Sequence, residues 1–166
     1  MQEKYYFAYG SNMNRDQMNF RCPRARVVTA VRLEDYRLTF SGASGNGVAT
    51  ILPEPGSHVD GVLWTITPHC EASLNRYEGY PNLYGKAQVT VCNIQGVKTE
   101  VMAYVMNAPY KDWTALPSET YLRGILEGCR QNGLSTQPVM EAVQRTQGEA
   151  KATAGKNKQS NKDRTR

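Results

Sequence analysis

The chain is organised around residues 6–13, Tyr6-Phe7-Ala8-Tyr9-Gly10-Ser11-Asn12-Met13. This stretch begins as an apolar, aromatic run typical of a buried strand and changes at Gly10 into small polar residues. A glycine at that position permits a sharp turn and the close approach of a ligand to the main chain. A strand that ends in free amides at the start of a helix can bind a carboxylate or a phosphate. An ordinary strand–loop–helix connection is an equally good interpretation of this spacing.

Most of the remaining sequence predicts strands. Short runs rich in β-branched and aromatic residues are separated by Gly, Pro and Asn, and a glycine-rich segment, 42–47, predicts a flexible hairpin connection. Gln95-Gly96 predicts a second hairpin. About seven short strands with few helices between them favour a largely antiparallel sheet that closes into a barrel. After the opening strand, the runs lie at 27–32, 36–41, 48–52, 59–66, 87–94 and 97–106.

The helices are fewer, and residues typical of helix ends mark them. Asn14, with Gln17 three residues later, is a possible capping pair for a short helix that ends before Cys22-Pro23. Thr67-Pro68 predicts the start of a helix that runs to about Tyr77. The remaining signals predict a helix from Pro117-Ser118 to Asn132-Gly133 and a weaker helix over about 137–145.

Composition and charge restrict the class of protein. The chain of 166 residues has a net charge of +5, and six basic against two acidic residues lie in 148–166, which leaves about +1 for the rest. We therefore expect one domain, 1–147, followed by a basic, disordered tail, 148–166. A balanced body makes nucleic-acid binding improbable except weakly through the tail, for which a purely solubilising role is favoured.

The sequence also predicts a cytoplasmic protein that does not enter a membrane. No apolar run is long enough to cross a bilayer, and Met1-Gln2-Glu3-Lys4 leads into a strand pattern without the apolar segment of a signal peptide. The four cysteines, Cys22, Cys70, Cys92 and Cys129, are widely scattered, so we expect free thiols in or near the core.

Glu78, at the end of the predicted 68–77 helix, is a carboxylate in a position where an apolar residue is expected. Cys70, Leu74 and Tyr77 lie on one helix face, and Glu78, eight residues after Cys70, lies on the same face. It also lies at the helix C-terminus, before Gly79, where the helix dipole disfavours negative charge. Burial and the dipole both raise a carboxyl pKa towards the range of a general acid or base near neutral pH. The alternative, equally weighted, is a Glu78 that rotates into solvent at a frayed helix end.

Tyrosines are frequent near Glu78 and elsewhere in the predicted pocket region. Tyr77, Tyr80 and Tyr84 surround Glu78 in sequence, and such residues combine an apolar ring with a hydroxyl suited to small-molecule pockets. Tyr104 lies in the last predicted strand, and Tyr121 lies in the first turn of the helix after Ser118. For any single tyrosine, ordinary packing is the better default.

Other chemistries are poorly supported. The two histidines, His58 in a Pro-Gly loop and His69 in a first helical turn, have no partner ligands at metal-site spacing, so no metal site is predicted. Ser11 lacks the second glycine of a nucleophile elbow and an assignable histidine partner. The glycines of 42–47 lack the lysine of a phosphate-binding loop.

Three ordered landmarks resemble the γ-glutamylcyclotransferase family. Residues 6–13 are similar to the signature loop of that family, and Tyr77-Glu78-Gly79 lies where the family carries its catalytic glutamate. The segments 117–121, Pro-Ser-Glu-Thr-Tyr, and 128–134, which ends in Asn-Gly-Leu, resemble its C-terminal helix and the end of that helix. The resemblance spans about residues 4–145 and is specific for the fold, but much less specific for the substrate.

The resemblance implies an α+β fold, a small mixed, mostly antiparallel β-barrel with surrounding helices and a pocket at the barrel mouth. It further implies a cofactor-free cyclisation that converts a γ-glutamyl compound into 5-oxoproline and a free amino acid or amine. In this scheme Glu78 is the general acid and base. The residues expected to bind substrate are Tyr9, Gly10, Ser11, Asn12 and Tyr121.

Two other functions are compatible with the sequence. A binding module of the same fold could keep the pocket without chemistry, with its basic tail on an acidic partner; a buried Glu78 argues against it. A serine hydrolase using Ser11 is a third option. The sequence does not identify the group attached to the γ-glutamyl moiety or the oligomeric state.

Overall fold

A computed structural model describes the backbone of residues 2–163 and the side-chain environment of residues 2–152. The described residues form five strands and four helices, with short 3-10 turns at Ser11–Met13 and Tyr110–Asp112. The strands are β1 (Lys4–Ala8), β2 (Arg26–Ala43), β3 (Asn46–Ile66), β4 (Tyr84–Cys92) and β5 (Lys98–Met106). The helices are α1 (Arg15–Arg21), α2 (Pro68–Glu78), α3 (Glu119–Gln131) and α4 (Gln137–Asp163).

The strands form a closed barrel in the order β1-β3-β2-β4-β5. Four of the five pairings are antiparallel, and the barrel closes through the parallel pairing of β1 with β5, where Tyr6 lies opposite Met102. The predicted fold class, a small mixed and mostly antiparallel barrel with surrounding helices, is confirmed. Closure leaves the barrel without the unpaired edges of an open sheet.

The predicted count of about seven strands is wrong, because two pairs of predicted strands are continuous. β2 includes both 27–32 and 36–41, and β3 includes both 48–52 and 59–66. The β2–β3 register shifts between Glu34 and Tyr36. At this bulge Asp35 adopts a φ of 62°, and its carboxylate accepts a hydrogen bond of 2.9 Å from the Gly56 amide. The irregularity lets the strands continue past Pro53-Glu54-Pro55-Gly56, which the sequence predicts as an end.

The predicted helix caps are confirmed by their hydrogen bonds. The Asn14 side chain accepts bonds from the amides of Asp16 and Gln17, Thr67 accepts from Cys70, and Ser118 accepts from Tyr121. Asn132 caps the end of α3, and Gly79, in the left-handed region at φ 64°, caps the end of α2. The 95–96 hairpin also joins β4 and β5 as predicted.

Three details differ from the sequence predictions. Tyr77, predicted on the apolar face of α2, is 46% exposed. His58 lies within β3 and not in a loop. α4 begins at Gln137 as predicted but its backbone remains helical to Asp163. The predicted disorder of 148–166 concerns a segment whose side chains are described only to Ala152, and it stays a prediction.

The core fills the barrel and continues beneath the helices. Its fully buried large side chains include Phe7, Phe40 and Ile51 from the strands and Ile125 from α3. Tyr6, Phe7 and Ala8 of β1 are all buried, so both faces of this strand are covered. The loop after β1 is thereby held against a rigid support. No helix among residues 2–163 is long and apolar enough to cross a bilayer.

Candidate active site

A cavity of about 190 Å³ lies at the end of β1. It brings together all six residues that the sequence singles out, although they come from three separate parts of the chain. The lining consists of Tyr6, Tyr9, Gly10, Ser11, Asn12, Val48, Ala49, Tyr77, Glu78, Leu83, Tyr84, Tyr104 and Tyr121. Such a volume suits a small molecule of amino-acid or dipeptide size.

Glu78 lies in the cavity wall because it is the last residue of α2. The helix is held by the Thr67 cap at one end and by Gly79 at the other, where the chain turns towards β4. Burial raises the pKa of the Glu78 carboxyl to about 7, although the Arg21 guanidinium and the Asn12 amide act in the opposite direction. A carboxyl that titrates near neutral pH can both accept and return a proton. Glu78 does not rotate into solvent, the alternative for this residue, because its carboxyl lines the cavity and accepts a bond from Asn12.

Asn12 links the loop after β1 to this carboxyl. Its Nδ2 atom donates to Glu78 Oε1 at 3.1 Å and to the Tyr6 hydroxyl at 2.9 Å. Its Oδ1 atom accepts from the Arg21 guanidinium at 2.6 Å. Asn12 is buried, and its partners fix the orientation of the amide: the oxygen faces the guanidinium, and the NH2 group faces the carboxyl.

The other predicted loop residues also line the cavity. The 3-10 turn begins with a bond from the Met13 amide to the Gly10 carbonyl, so the amides of Ser11 and Asn12 precede its first internal bond. A Cβ at Gly10 would lie 3.2 Å from Ala49 Cβ and 3.4 Å from the Tyr121 hydroxyl. The absence of a side chain at Gly10 therefore keeps the entrance to the turn open.

Tyr9 and Tyr121 contribute rings and hydroxyls to the lining. The Tyr9 hydroxyl donates to the Tyr104 carbonyl at 2.5 Å. The Tyr121 hydroxyl accepts from the Ala49 amide at 3.0 Å, which leaves its own proton free for a second bond. The Tyr84 hydroxyl donates to the carbonyl of the same Ala49. The Ala49 peptide is thus held between two tyrosines.

The phenols of the cavity stay protonated near neutral pH. Burial raises the pKa of Tyr6, Tyr9 and Tyr84 well above the usual value, and the negative charge of Glu78 acts in the same direction. Burial likewise raises the pKa of Tyr104 and Tyr121. The walls therefore surround a single carboxyl with neutral hydroxyls, although Tyr9, Tyr84 and Tyr104 already donate their protons to other groups of the protein.

Sequence reasoning missed several residues of this site. The sequence pattern places Tyr6 only in a strand, does not distinguish Tyr84 and Tyr104 from ordinary packing residues, and gives Arg21 no role. Strand alternation is the signal that could have placed the tyrosines inside the barrel. A lone arginine at the end of a short helix carries no comparable signal. Tyr80, grouped with the pocket residues in sequence, is not in the lining and packs under the Lys86 ammonium.

The part of the chain that the structure describes contains no group of three or more His, Cys, Asp or Glu side chains able to hold a metal ion. His58 lies 3.9 Å from Asp60 and its side chain is 37% exposed. Neither histidine lines the cavity.

Comparison with known proteins agrees with the fold. The family model described as gamma-glutamyl cyclotransferase, AIG2-like, matches residues 6–123, a range that includes all six predicted site residues. The gamma-glutamylcyclotransferases of Homo sapiens and Bos taurus are each 34% identical over 137 residues, which cover 78% of this chain and 71% of the relative.

Solved structures share the architecture. A gamma-glutamyl cyclotransferase structure superposes with a TM-score of 0.74 at 29% identity and covers 88% of this chain and 87% of its own. A yeast gamma-glutamyl cyclotransferase specific to glutathione superposes with a TM-score of 0.60 at 12% identity, covering 88% and 97% respectively. At that identity the likeness shows the fold alone.

Proposed function

The chain belongs to the gamma-glutamyl cyclotransferase, AIG2-like family, and we propose that it releases 5-oxoproline and a free amino acid or amine from a γ-glutamyl compound. The observation that carries this proposal is the position of Glu78. Its carboxyl lines the same small cavity as the Tyr9–Asn12 loop, and burial raises its pKa to about 7.

The reaction needs proton transfer more than it needs a nucleophile, because the α-amine of the substrate attacks its own γ-carbonyl. Glu78 as carboxylate takes a proton from the α-ammonium group. The amine nitrogen then bonds to the γ-carbon, and the carbonyl oxygen becomes an oxyanion. Glu78 gives its proton to the departing nitrogen, the oxyanion re-forms the carbonyl as the original amide bond breaks, and Glu78 takes the second proton from the ring nitrogen. The five-membered lactam is then neutral, and this last proton passes from Glu78 to the released amine, which restores the carboxylate.

The loop after β1 supplies the groups that bind and bend the substrate. Tyr9 lines the cavity beside Glu78, but its hydroxyl proton is donated to the Tyr104 carbonyl. The donors beside Glu78 are the amides of Ser11 and Asn12 and the hydroxyl of Tyr121. Such donors bind the α-carboxylate or stabilise the oxyanion, and they hold the amine close to the carbonyl carbon. The proton transfers and the binding of the substrate use only groups of the chain itself, as a cofactor-free reaction requires.

The test is release of 5-oxoproline from a panel of γ-glutamyl dipeptides and γ-glutamyl amines. Glu78→Gln keeps the shape of the side chain and removes the proton carrier, so turnover should fall by roughly 10²–10⁴-fold. Glu127→Gln, an equal change on the exposed surface of α3, is the matched control and should retain full turnover.

Three results would contradict the proposal. Wild-type turnover in a folded Glu78→Gln variant would remove the assigned role of the carboxyl. Loss of turnover in Ser11→Ala, together with an acyl-enzyme on Ser11 of the wild-type protein, would support hydrolysis by a serine nucleophile. Thermal stabilisation of the wild-type protein by γ-glutamyl ligands without any 5-oxoproline would favour the non-catalytic binding module.

A further inference from the structure

Arg21, the last residue of α1, lies behind the cavity and contacts three polar residues of the loop and helix. One guanidinium nitrogen donates to Asn12 Oδ1 at 2.6 Å and to Ser11 Oγ at 3.3 Å. The other terminal nitrogen donates to Gln17 Oε1 at 2.9 Å. Arg21 thus joins the loop after β1 to α1 without itself lining the cavity.

The ring of Tyr77 holds the guanidinium from the other side. The Arg21 Cζ atom lies 3.5 Å from the centroid of the ring, a distance typical of stacking between arginine and an aromatic ring. The Tyr77 hydroxyl lies 3.4 Å from Ser11 Oγ. Because Tyr77 directly precedes Glu78, the stack also connects Arg21 to the end of α2.

Arg21 determines which way the Asn12 amide points. Arginine has only donors, so the atom of Asn12 that faces it must be the oxygen. The NH2 group is consequently directed to Glu78, which can only accept when it is ionised, and to the Tyr6 hydroxyl, which accepts the second hydrogen. If Asn12 were reversed, its oxygen would face the carboxylate, and an unpaired NH2 group would face the guanidinium.

We propose that Arg21 is a positioning residue for the cyclisation: it orients Asn12 as a donor towards Glu78 and places a positive charge beside that carboxyl. The inference rests on the proposed function, because it assigns Arg21 a part in the use of Glu78 as a base. Arg21 does not line the cavity and acts through Asn12 and Glu78, which do.

The charges around Glu78 support this assignment. The phenols that act on it come from several elements around the cavity: Tyr6 from β1, Tyr9 directly after β1, Tyr84 from β4, Tyr104 from β5 and Tyr121 from α3. All of these are neutral near pH 7. Within the described residues, Arg21 is the cation that acts on Glu78, and it lowers the carboxyl pKa against the larger effect of burial.

The experiment measures the ionisation of Glu78 separately from the reaction. The carboxyl resonance of Glu78 in full-length protein labelled with carbon-13 is assigned with Glu78→Gln and titrated by NMR. The pH profile of kcat/KM for 5-oxoproline release is recorded in parallel. The variants are Arg21→Met, Arg21→Lys and the control Arg24→Met, which removes an exposed positive charge three residues away.

In Arg21→Met we expect the Glu78 titration and the acid limb of the pH profile to move up together by about one pH unit, the lower end of the effect of a nearby opposite charge. Arg24→Met should change neither. Arg21→Lys keeps the charge but cannot maintain bonds to Ser11, Asn12 and Gln17 together, so kcat should fall by about tenfold with a nearly normal Glu78 titration.

An unchanged Glu78 titration in folded Arg21→Met would overturn the proposal. If that variant does not fold, Arg21→Lys decides: wild-type kcat would overturn the orienting role, and the tenfold loss would support it. Absence of 5-oxoproline release by the wild-type protein would defeat the proposed function instead, and the NMR titration would still show whether Arg21 acts on Glu78.

Discussion

The Nδ2 atom of Asn12 lies 3.1 Å from Oε1 of Glu78, although the two residues are 66 positions apart in the sequence. This contact joins the loop after β1 to the end of α2. Both hydrogens of the Asn12 NH2 group are in use, since the second is donated to the Tyr6 hydroxyl. The candidate base and the candidate substrate loop are therefore parts of one hydrogen-bonded unit.

Asn12→Asp should inactivate the protein more strongly than Asn12→Ala. The aspartate places a second carboxyl next to Glu78, and two carboxylates at this distance cannot both ionise at neutral pH. We expect kcat/KM at pH 7 to fall by at least about 100-fold in Asn12→Asp and by about 10-fold in Asn12→Ala, the latter matching one lost hydrogen bond to a charged group. Steady-state assays of 5-oxoproline release measure both values.

Asn93→Asp is the control for that comparison. Asn93 uses its side-chain oxygen to accept from the Gln95 and Val97 amides in the β4–β5 hairpin, and an aspartate can make the same bonds. Its activity should equal that of the wild type. Equal activity of Asn12→Asp and Asn12→Ala would mean that charge beside Glu78 does not matter for the reaction.

The parts of the fold that the sequence predicts well depend on local chemistry. Thr67 and Ser118 cap helices through bonds to their own neighbours, and Gln95-Gly96 turns a hairpin through its own backbone preferences. Glu78 was found as a local anomaly, a carboxylate on an apolar helix face. Each of these signals is complete within about ten residues.

The features that sequence reasoning missed depend on contacts between distant segments. β3 continues past Pro53 and Pro55 because Asp35, about twenty positions earlier, bonds to Gly56 at the bulge. Tyr77 is half exposed because its ring covers the Arg21 guanidinium and does not enter the core. No periodicity within α1 or α2 reports such a pairing. The two helix faces acquire their roles only when the barrel brings them together.

The raised pKa of Glu78 should appear in the stability of the protein as well as in its kinetics. The folded-state pKa of about 7 lies above the ordinary value of 4.5, so the folded protein binds more protons between these two pH values. The free energy of unfolding therefore decreases as pH rises from about 4.5 to 7 on account of this group. The full effect is up to about 3 kcal/mol, since one pKa unit corresponds to about 1.4 kcal/mol.

Glu78→Gln removes that pH dependence because glutamine does not titrate. Its stability relative to the wild type should rise between pH 4.5 and 7 and stay constant above about pH 8. Urea unfolding at several pH values measures the difference directly, and Glu127→Gln shows the effect of an exposed carboxyl. A constant difference between Glu78→Gln and wild type across this range would mean that the Glu78 pKa is not raised by folding.

Close packing of α3 against the 3-10 turn should make Gly128→Ala damaging to both stability and activity. A Cβ at Gly128 would lie 2.7 Å from the Asn14 nitrogen and 2.9 Å from the Met13 carbonyl carbon, and neither backbone atom can move without displacing the loop. We expect a loss of about 1–3 kcal/mol in the free energy of unfolding, with a lower kcat because Tyr121 on the same helix moves away from Gly10.

Gly148→Ala, in the exposed interior of α4 with nothing within 4 Å of the added Cβ, is the matched control. Thermal and urea unfolding should show the control to be equal to the wild type or slightly more stable, because alanine favours the helix by up to about 1 kcal/mol. A Gly128→Ala protein of unchanged stability and kcat would show that α3 does not hold the loop in place.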